Sequence, residues 1–245
     1  MCGKFTQMMS WGTLVRLYRI HEEPEERAER EAREGDGEDD RVEASTPMRP
    51  AWILVLDDQK RRRRVRMRWG FTSTWKKDER GNPERHIHAR CETIDRMPAF
   101  KDAFTVGRRG ILIVRTFNEA KKVTDTKYEQ QVLTPKDGKQ LGIAVIWNYE
   151  TQPDGTEILV YCMVTTPPNR QIGEITERMP AVLPEVLWDK WLGAEPATLA
   201  EIKDMLTPYE GEWDMAPQDP PKPPRPPKPP ALRKTTKPSQ GSFFS

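Results

Sequence analysis

The chain has 245 residues, of which 36% are hydrophobic and 32% are charged, and its formal net charge is +2. At roughly 100–200 residues per domain, this length predicts one large domain or two small ones. No apolar run approaches the ~18 residues of a membrane helix, and the N-terminus lacks the apolar stretch of a secretory signal. Cys2, Cys91 and Cys162 are too few for a disulfide framework, so we expect reduced thiols and a cytoplasmic location.

Hydrophobic periodicity predicts one helix near the N-terminus and mostly strands after it. Met9, Leu14, Leu17 and Tyr18 have the approximate spacing of a helical face. Strands are predicted at 52–56, 64–69, 86–93, 111–117, 141–148 and 158–165, and a late helix at 197–206. Because strands dominate without a βαβ rhythm, we expect an α+β fold in which helices flank a curved, mainly antiparallel, barrel-like sheet.

Two segments depart from this globular pattern. Residues 22–41 contain eleven acidic residues and four arginines with almost no apolar side chains, so 22–44 is expected to be a solvated helix or a flexible insertion. Residues 215–245 are rich in proline and lysine, and such proline density favours an extended polyproline II chain. We therefore expect one domain, 1–214, and a disordered tail. The tail is a solubilising terminus, an arm for nucleic acid or a ligand for an unknown partner.

A dense group of cations lies on and before the strand predicted at 64–69. Seven of the nine residues from 60 to 68 are basic: Lys60, Arg61, Arg62, Arg63, Arg64, Arg66 and Arg68. Such a run is suited to neutralising phosphates and releasing their counterions, which favours a nucleic-acid partner. The alternative is a solvated, charged hairpin tip.

Cys2 directly follows the first methionine, and its small side chain is compatible with removal of Met1. The mature chain would then carry an α-amine, with a pKa of about 7.7–8.0, beside a thiol with a pKa of about 8.5. In such a 1,2-aminothiol, the amine condenses with an aldehyde to a Schiff base and the thiol then closes a thiazolidine ring. Alone, a cysteine at position 2 is weak evidence, because it is usually incidental.

Five further segments accompany Cys2 in a fixed order. They are Arg68-Trp69-Gly70-Phe71, His88-Ala89-Arg90-Cys91-Glu92-Thr93, Phe117-Asn118-Glu119, Thr165-Thr166 and Arg178-Met179-Pro180-Ala181-Val182-Leu183. Together with Met1-Cys2-Gly3-Lys4-Phe5, they resemble the SOS-response-associated peptidase (SRAP) family of abasic-site processing proteins. The resemblance covers about residues 1–210 and leaves the proline-rich tail unexplained.

The resemblance implies an enzyme of the DNA-damage response that loses its own Met1 and binds single-stranded DNA. It would trap the ring-opened aldehyde of an abasic site on Cys2 as a thiazolidine and so shield the lesion. Glu119 would transfer protons beside the cysteine amine. The DNA contacts would come from Lys4, Trp69, Gly70, Arg90, Thr166 and Arg178, with Arg64, Arg66 and Arg68 of the basic run. Core packing is the alternative for Trp69, since aromatic side chains bury large apolar areas.

Two positions depart from the family pattern. The family motif normally begins with asparagine where His88 stands, and it normally carries a histidine where Thr176 stands. A threonine hydroxyl forms hydrogen bonds but does not accept a proton near pH 7. We therefore hypothesise that His88 supplies the imidazole missing at 176. The competing hypothesis is a relative that binds single-stranded DNA without covalent capture, or that crosslinks slowly.

The remaining chemical signals are weaker. His86, His88 and Cys91 are metal-ligating residue types, but the period of a strand would turn Cys91 away from the two histidines. We expect neither a metal nor a cofactor, and we expect a monomer that associates with DNA. Cys91 and Cys162 are expected to be inert core thiols.

Overall fold

The computed structural model describes residues 2–7, 10–35, 43–77 and 79–218. Its strands are β1 (Lys4–Gln7), β2 (Glu43–Ser45), β3 (Pro50–Leu56), β4 (Arg62–Trp69), β5 (Phe71–Lys77), β6 (Pro83–His86), β7 (His88–Arg90), β8 (Arg109–Val114), β9 (Thr116–Lys122), β10 (Tyr128–Pro135), β11 (Leu141–Thr151), β12 (Glu157–Thr166), β13 (Met179–Pro180) and β14 (Trp213–Pro217). Its helices are α1 (Trp11–Tyr18), α2 (Pro24–Gly35), α3 (Lys101–Thr105), α4 (Trp188–Leu192) and α5 (Leu199–Asp204). No helix in these described ranges is long and apolar enough to cross a bilayer.

Five strands close into a barrel. Strands β11, β8, β3, β4 and β12 are hydrogen-bonded in that order, and β12 pairs again with β11. Every pair around this ring is antiparallel except β12 with β4, and β7 and β13 extend the sheet from β12. The predicted α+β class with a curved, mainly antiparallel sheet is therefore confirmed.

The barrel strands bury both of their faces. Along β8, Leu112 and Val114 belong to one apolar cluster and Ile111 and Ile113 to another. The first cluster contains Cys2 and much of the barrel interior, whereas the second contains the tryptophans of α4. Burial on both faces explains why β8 and β11 have continuous apolar runs instead of the alternation of a half-exposed strand.

A second sheet has the order β14-β10-β9-β1-β2 and holds the N-terminus against the barrel. Strand β1 pairs with β9 so that Lys4 lies opposite Asn118. The predicted domain boundary at 214 falls inside β14, which pairs with β10 as far as Pro217. Strand β14 therefore continues past that boundary to Pro217, and the rest of the proline-rich tail, 219–245, lies outside the described residues.

Two predicted strands are each broken in two. The strand predicted at 86–93 ends at His86, resumes over 88–90 and gives way to turns from Cys91 onward. The break occurs at Ile87, because its carbonyl accepts hydrogen bonds from Met163 N–H at 3.1 Å and from Trp69 Nε1 at 2.9 Å. The strand predicted at 111–117 likewise divides between β8 and β9, at a bend at residue 115.

The acidic segment lies against the basic run. Arg63 of β4 pairs with Glu23 at 2.8 Å and with Glu26 at 2.9 Å. Within the acidic segment, the Arg30 guanidinium of α2 donates to the Glu22 carboxylate at 3.0 Å, and both side chains are buried. Residues 24–35 thus form a helix as expected, but the acidic segment is not solvated on all sides.

Glu22→Ala is expected to destabilise the fold by about 3–5 kcal/mol, because it removes the buried carboxylate that pairs with the buried Arg30 guanidinium at 3.0 Å. The free energy of unfolding in urea measures the effect. Glu29→Ala, an exposed change on the same helix, is the matched control and should cost less than about 0.5 kcal/mol. Equal stabilities of the two variants would contradict a structural role for the buried pair.

Candidate active site

Cys2 and Glu119 are buried side by side where β1 meets β9. Each has 1% of its surface exposed. The pairing of Lys4 with Asn118 brings the residue two positions after the cysteine opposite the residue just before the glutamate. The Cys2 Sγ donates to the Lys4 carbonyl at 3.3 Å, which holds the thiol at the start of the strand.

The Glu119 carboxylate faces the backbone nitrogen of Cys2. Burial raises the pKa of Glu119, while the nearby Cys2 N–H and Thr176 hydroxyl act in the opposite direction. This nitrogen would become the α-amine if Met1 were removed. A carboxyl group with a raised pKa, in contact with that nitrogen, is suited to proton transfer near neutral pH.

The Cys2 thiol remains protonated at neutral pH. Burial, followed by the nearby negative charge of Glu119, raises the pKa of Cys2 to about 12. A protonated thiol is a poor nucleophile, so its addition to a carbon centre requires a neighbouring base. Glu119 is close enough to influence the thiol and is one such base.

His88 lies close to the Cys2 backbone. Strand β7 places it opposite Met163 of β12, and its ring packs edge-on against Trp69 with the centroids 6.0 Å apart. Burial lowers the pKa of His88 to about 4, although the nearby Cys2 carbonyl favours the protonated form. The imidazole is therefore neutral at physiological pH. The four residues proposed for catalysis from the sequence, Cys2, Glu119, His88 and Thr176, thus lie around one point.

His88→Asn is expected to change how stability depends on pH. With a folded-state pKa near 4 and an ordinary value of 6.5, the unfolded chain binds more protons between these limits, so wild-type stability falls as pH drops from 6.5 to 4. The full loss is on the order of 3 kcal/mol, and the asparagine variant should lack it. Urea unfolding from pH 4.5 to 7 tests this, with the more exposed His21→Asn as the control; parallel curves for wild type and His88→Asn would contradict the burial argument.

Tyr161 is a further member of the site that the sequence pattern does not reveal. Its side chain is fully buried and its ring lies parallel to that of Trp69, with the centroids 6.2 Å apart. Burial and the neighbouring Cys2 thiol raise the pKa of Tyr161. Its hydroxyl has no hydrogen-bond partner among the described residues. A buried hydroxyl without a hydrogen-bond partner is unusual. The apolar sequence of β12 does not distinguish Tyr161 from its buried neighbours.

Three of the residues predicted to contact DNA are buried in the fold: Trp69, Gly70 and Thr166. Trp69 is fully buried and donates from Nε1 to the Ile87 carbonyl at 2.9 Å, which is the core packing given as its alternative. Gly70 has φ = +121°, a backbone conformation that residues with a Cβ rarely adopt. The Thr166 side chain is also fully buried, and its hydroxyl donates to the Pro167 carbonyl.

The cations predicted to bind DNA differ in their availability. Arg90, at the end of β7, is exposed, and no described residue forms an ion pair with it. Arg178 instead makes a two-pronged ion pair with Glu92, at 2.6 and 2.9 Å, and this contact lowers the pKa of Glu92 to about 2. Lys4 donates to the Gln218 side chain at 3.2 Å.

The basic run is largely engaged within the protein. Arg64 lies over the rings of Trp11 and Trp52, with centroid distances of 5.0 and 4.9 Å. Arg66 lies over the Trp52 ring at 5.7 Å, but its side chain is exposed. Arg68 pairs with Glu150 at 2.6 Å. Lys60 and Arg61 lie in the turn of the β3–β4 hairpin, and the arginines that follow on β4 have partners within the domain.

The other candidate ligands do not converge. Among the residues that the structure describes, no three histidine, cysteine or acidic side chains are close enough to hold a metal ion. Cys91 and Cys162 are buried free thiols, and Cys162 donates to the His86 carbonyl at 3.0 Å.

Comparison with known proteins identifies the family. The model of the SOS response associated peptidase (SRAP) family matches residues 1–219. Abasic site processing protein YoqW of Bacillus subtilis is 25% identical over 160 residues, 65% of this chain and 70% of that protein. Abasic site processing protein HMCES of Rattus norvegicus is 24% identical over 172 residues, 59% of this chain and 49% of that protein.

Solved structures agree with this fold. A protein from Bordetella bronchiseptica has a TM-score of 0.69 at 18% identity and covers 89% of this chain and 100% of its own. A protein from Bacteroides thetaiotaomicron has the same TM-score and identity, with 88% and 91% covered. The match of the family model to nearly the whole described domain carries the assignment: the chain belongs to the SOS response associated peptidase (SRAP) family.

Proposed function

We propose that this protein processes abasic sites in single-stranded DNA by forming a thiazolidine between Cys2 and the ring-opened sugar aldehyde. The covalent adduct would shield the lesion from strand cleavage. Family membership and the names of the relatives support a role at abasic sites. The single observation that carries the covalent mechanism is the contact of the Glu119 carboxylate with the Cys2 nitrogen.

The reaction needs three proton movements. The Cys2 amine attacks the aldehyde carbon, and the resulting carbinolamine loses its hydroxyl as water to leave a Schiff base. The protonated Glu119 carboxyl donates a proton to that departing hydroxyl, and its carboxylate then takes up the N–H proton of the nitrogen as the neutral Schiff base forms. The Cys2 sulfur then adds to the C=N carbon, and the thiol proton passes through a neighbouring base to the ring nitrogen. The balance is one aldehyde and one aminothiol giving one thiazolidine and one water.

The neutral His88 imidazole is the second base in this proposal. His88 lies near the Cys2 backbone, and Thr176 lies near the Glu119 carboxylate. A neutral imidazole accepts a proton, whereas a threonine hydroxyl does not at this pH. His88 thus supplies from β7 the imidazole that position 176 lacks. Crosslinking rates of His88→Ala and His88→Asn equal to that of wild type would refute this assignment.

The test incubates the full-length protein with single-stranded DNA carrying one abasic site, beside undamaged DNA of the same sequence, followed by a denaturing gel. Intact mass first establishes that Met1 has been removed. The matched control is a chain with a retained N-terminal tag, which keeps the Cys2 thiol but has no free amine at that residue. A heat-stable band specific to the lesion and to the untagged chain is expected.

Two other outcomes would contradict the proposal. An equally strong band from the tagged chain would exclude the aminothiol mechanism. Salt-dependent binding without any covalent band would establish the competing function, a non-covalent single-strand-binding relative in which the replacement at position 176 has disabled capture.

Arg90→Ala is expected to weaken binding to undamaged single-stranded DNA, because Arg90 is exposed and unpaired within the described residues. Loss of one phosphate contact should reduce the slope of log affinity against log salt by about 0.7. Fluorescence anisotropy over a salt series measures the slope. Arg27→Ala, which removes an exposed arginine from the acidic helix α2, is the control and should leave it unchanged. Equal slopes for both variants would remove Arg90 from the DNA surface.

A further inference from the structure

Strand β12 places one polar group among the apolar residues around the candidate active site. Its side chains alternate between the two apolar clusters. Cys162 belongs to the cluster that contains the tryptophans of α4, whereas Tyr161 and Met163 belong to the other, which contains Cys2. The Tyr161 ring is inclined by only 12° to that of Trp69, with the centroids 6.2 Å apart. Strand alternation and this stacking therefore hold the phenol on the side of the sheet where the thiol lies.

The Tyr161 hydroxyl is a hydrogen-bond donor that lacks an acceptor. The side chain is fully buried, and its oxygen has no hydrogen-bond partner among the residues that the structure describes. Such a group destabilises the fold, because it has lost its hydrogen bonds to water and gained none in return. Burial, and after it the nearby Cys2 thiol, raise the pKa of Tyr161, so the phenol is protonated at neutral pH. The fold thus keeps an unused donor close to the thiol.

The protonation state of Cys2 explains why this donor is unused. The Cys2 Sγ donates its proton to the Lys4 carbonyl at 3.3 Å. The sulfur of a protonated thiol is only a weak acceptor. A thiolate is a much better one, because hydrogen bonds to ionised acceptors are shorter and stronger than those between neutral groups. A donor close to this sulfur therefore gains its acceptor only when the thiol gives up its proton.

We propose that the Tyr161 hydroxyl donates a hydrogen bond to the Cys2 sulfur as the thiol loses its proton and attacks the Schiff-base carbon. The inference rests on the proposed function and adds a residue to its ring-closing step. The thiol proton passes to the neighbouring base, the S–C bond forms as the C=N electron pair moves to nitrogen, and the tyrosine keeps its own proton. Because this hydrogen bond is strong only while the sulfur carries negative charge, it stabilises the transition state more than the resting site.

The experiment compares full-length Tyr161→Phe with wild type in two single-turnover reactions on single-stranded DNA carrying one abasic site. With borohydride present, the covalent band measures formation of the Schiff base, which does not use the thiol. Without reductant, the heat-stable band measures ring closure. The variant should form the first band at the wild-type rate and the second about 10–100-fold more slowly, as expected for loss of one hydrogen bond to a charged group. Tyr149→Phe, which removes an exposed hydroxyl from β11, is the matched control and should equal wild type in both reactions.

A melting temperature distinguishes this role from a structural one. Tyr161→Phe deletes a buried polar group without a partner among the described residues, so the variant should melt at the wild-type temperature or above it. Equal losses in both reactions would overturn the proposal, and a lower melting temperature with them would make Tyr161 a packing residue. Wild-type rates in both reactions would also overturn it and leave the proposed function intact. Absence of a heat-stable band from wild type would reject the proposed function and this inference together.

Discussion

Cys2→Ser is expected to abolish the heat-stable crosslink to an abasic site while leaving binding to undamaged single-stranded DNA unchanged. Serine keeps the small size that is compatible with loss of Met1, and it keeps the α-amine beside Glu119. The substitution therefore changes only the nucleophile that closes the ring. The hydroxyl is a far weaker nucleophile than sulfur, so the reaction should stop at the Schiff base, which hydrolyses on denaturation.

The Cys2→Ser variant distinguishes the role of the α-amine from the role of the thiol. Addition of borohydride during the reaction reduces the C=N bond of a Schiff base to a stable amine, so a covalent band should return for Cys2→Ser. Cys91→Ser, which removes another buried thiol, is the matched control and should crosslink like wild type without borohydride. A heat-stable band from Cys2→Ser without reductant would refute the ring-closing role of the sulfur. No band even with borohydride would place the reactive amine elsewhere.

The resemblance singled out Cys2, Glu119, His88 and Thr176, and the structure brings these residues close together. The resemblance was needed because the strand pairings around the site join segments far apart in the chain, Lys4 with Asn118 and His88 with Met163. No local periodicity contains such information.

The arginine run shows where composition fails. A count of charges treats residues 22–41 and 60–68 as separate acidic and basic segments, each facing solvent. In the structure, Glu23 and Glu26 pair with Arg63, and Trp11 and Trp52 enclose Arg64. These contacts depend on the packing of α1 and α2 across β3 and β4, which the sequence pattern does not specify.

Apolar strand patterns concealed two further features. Tyr161 lies within a run of buried residues that is typical of a barrel strand, and only the three-dimensional arrangement brings its hydroxyl next to Cys2. The breaks at Ile87 and Arg115 were also hidden. In each case a backbone group turns to another strand: the Ile87 carbonyl accepts from Met163, and the Arg115 N–H donates to the Thr6 carbonyl at 2.8 Å.

Glu119→Gln is expected to slow crosslinking by about 10²–10⁴-fold, the usual contribution of general acid–base catalysis. The amide has nearly the same shape, and its oxygen accepts hydrogen bonds as a carboxylate oxygen does, so the site should remain assembled. It does not supply a proton to the departing hydroxyl. Single-turnover rates on a denaturing gel measure the loss, and binding to undamaged DNA should be unchanged.

Stability should change in the opposite direction from the rate. Burial raises the pKa of Glu119 above its ordinary 4.5, so the folded state binds more protons than the unfolded state just above that pH, and the carboxyl group destabilises the fold increasingly as pH rises. Glutamine carries no charge to bury. The variant should therefore be at least as stable as wild type at pH 7, with an advantage that shrinks as the pH falls toward 4.5.

The combination of a slower reaction and equal or greater stability distinguishes a catalytic carboxyl group from a structural one. A glutamate that only held β1 against β9 would give a less stable variant with weaker DNA binding and a rate loss that follows the unfolded fraction. Glu129→Gln, a change on the neighbouring strand β10, controls for the charge and should affect neither the rate nor the stability by much. Glu119 and Cys2 are both 1% exposed. An apolar residue at position 119 would stabilise the fold more than a buried ionisable group does, so a carboxyl group at this position is the pattern expected of a residue kept for its reactivity at a cost in stability.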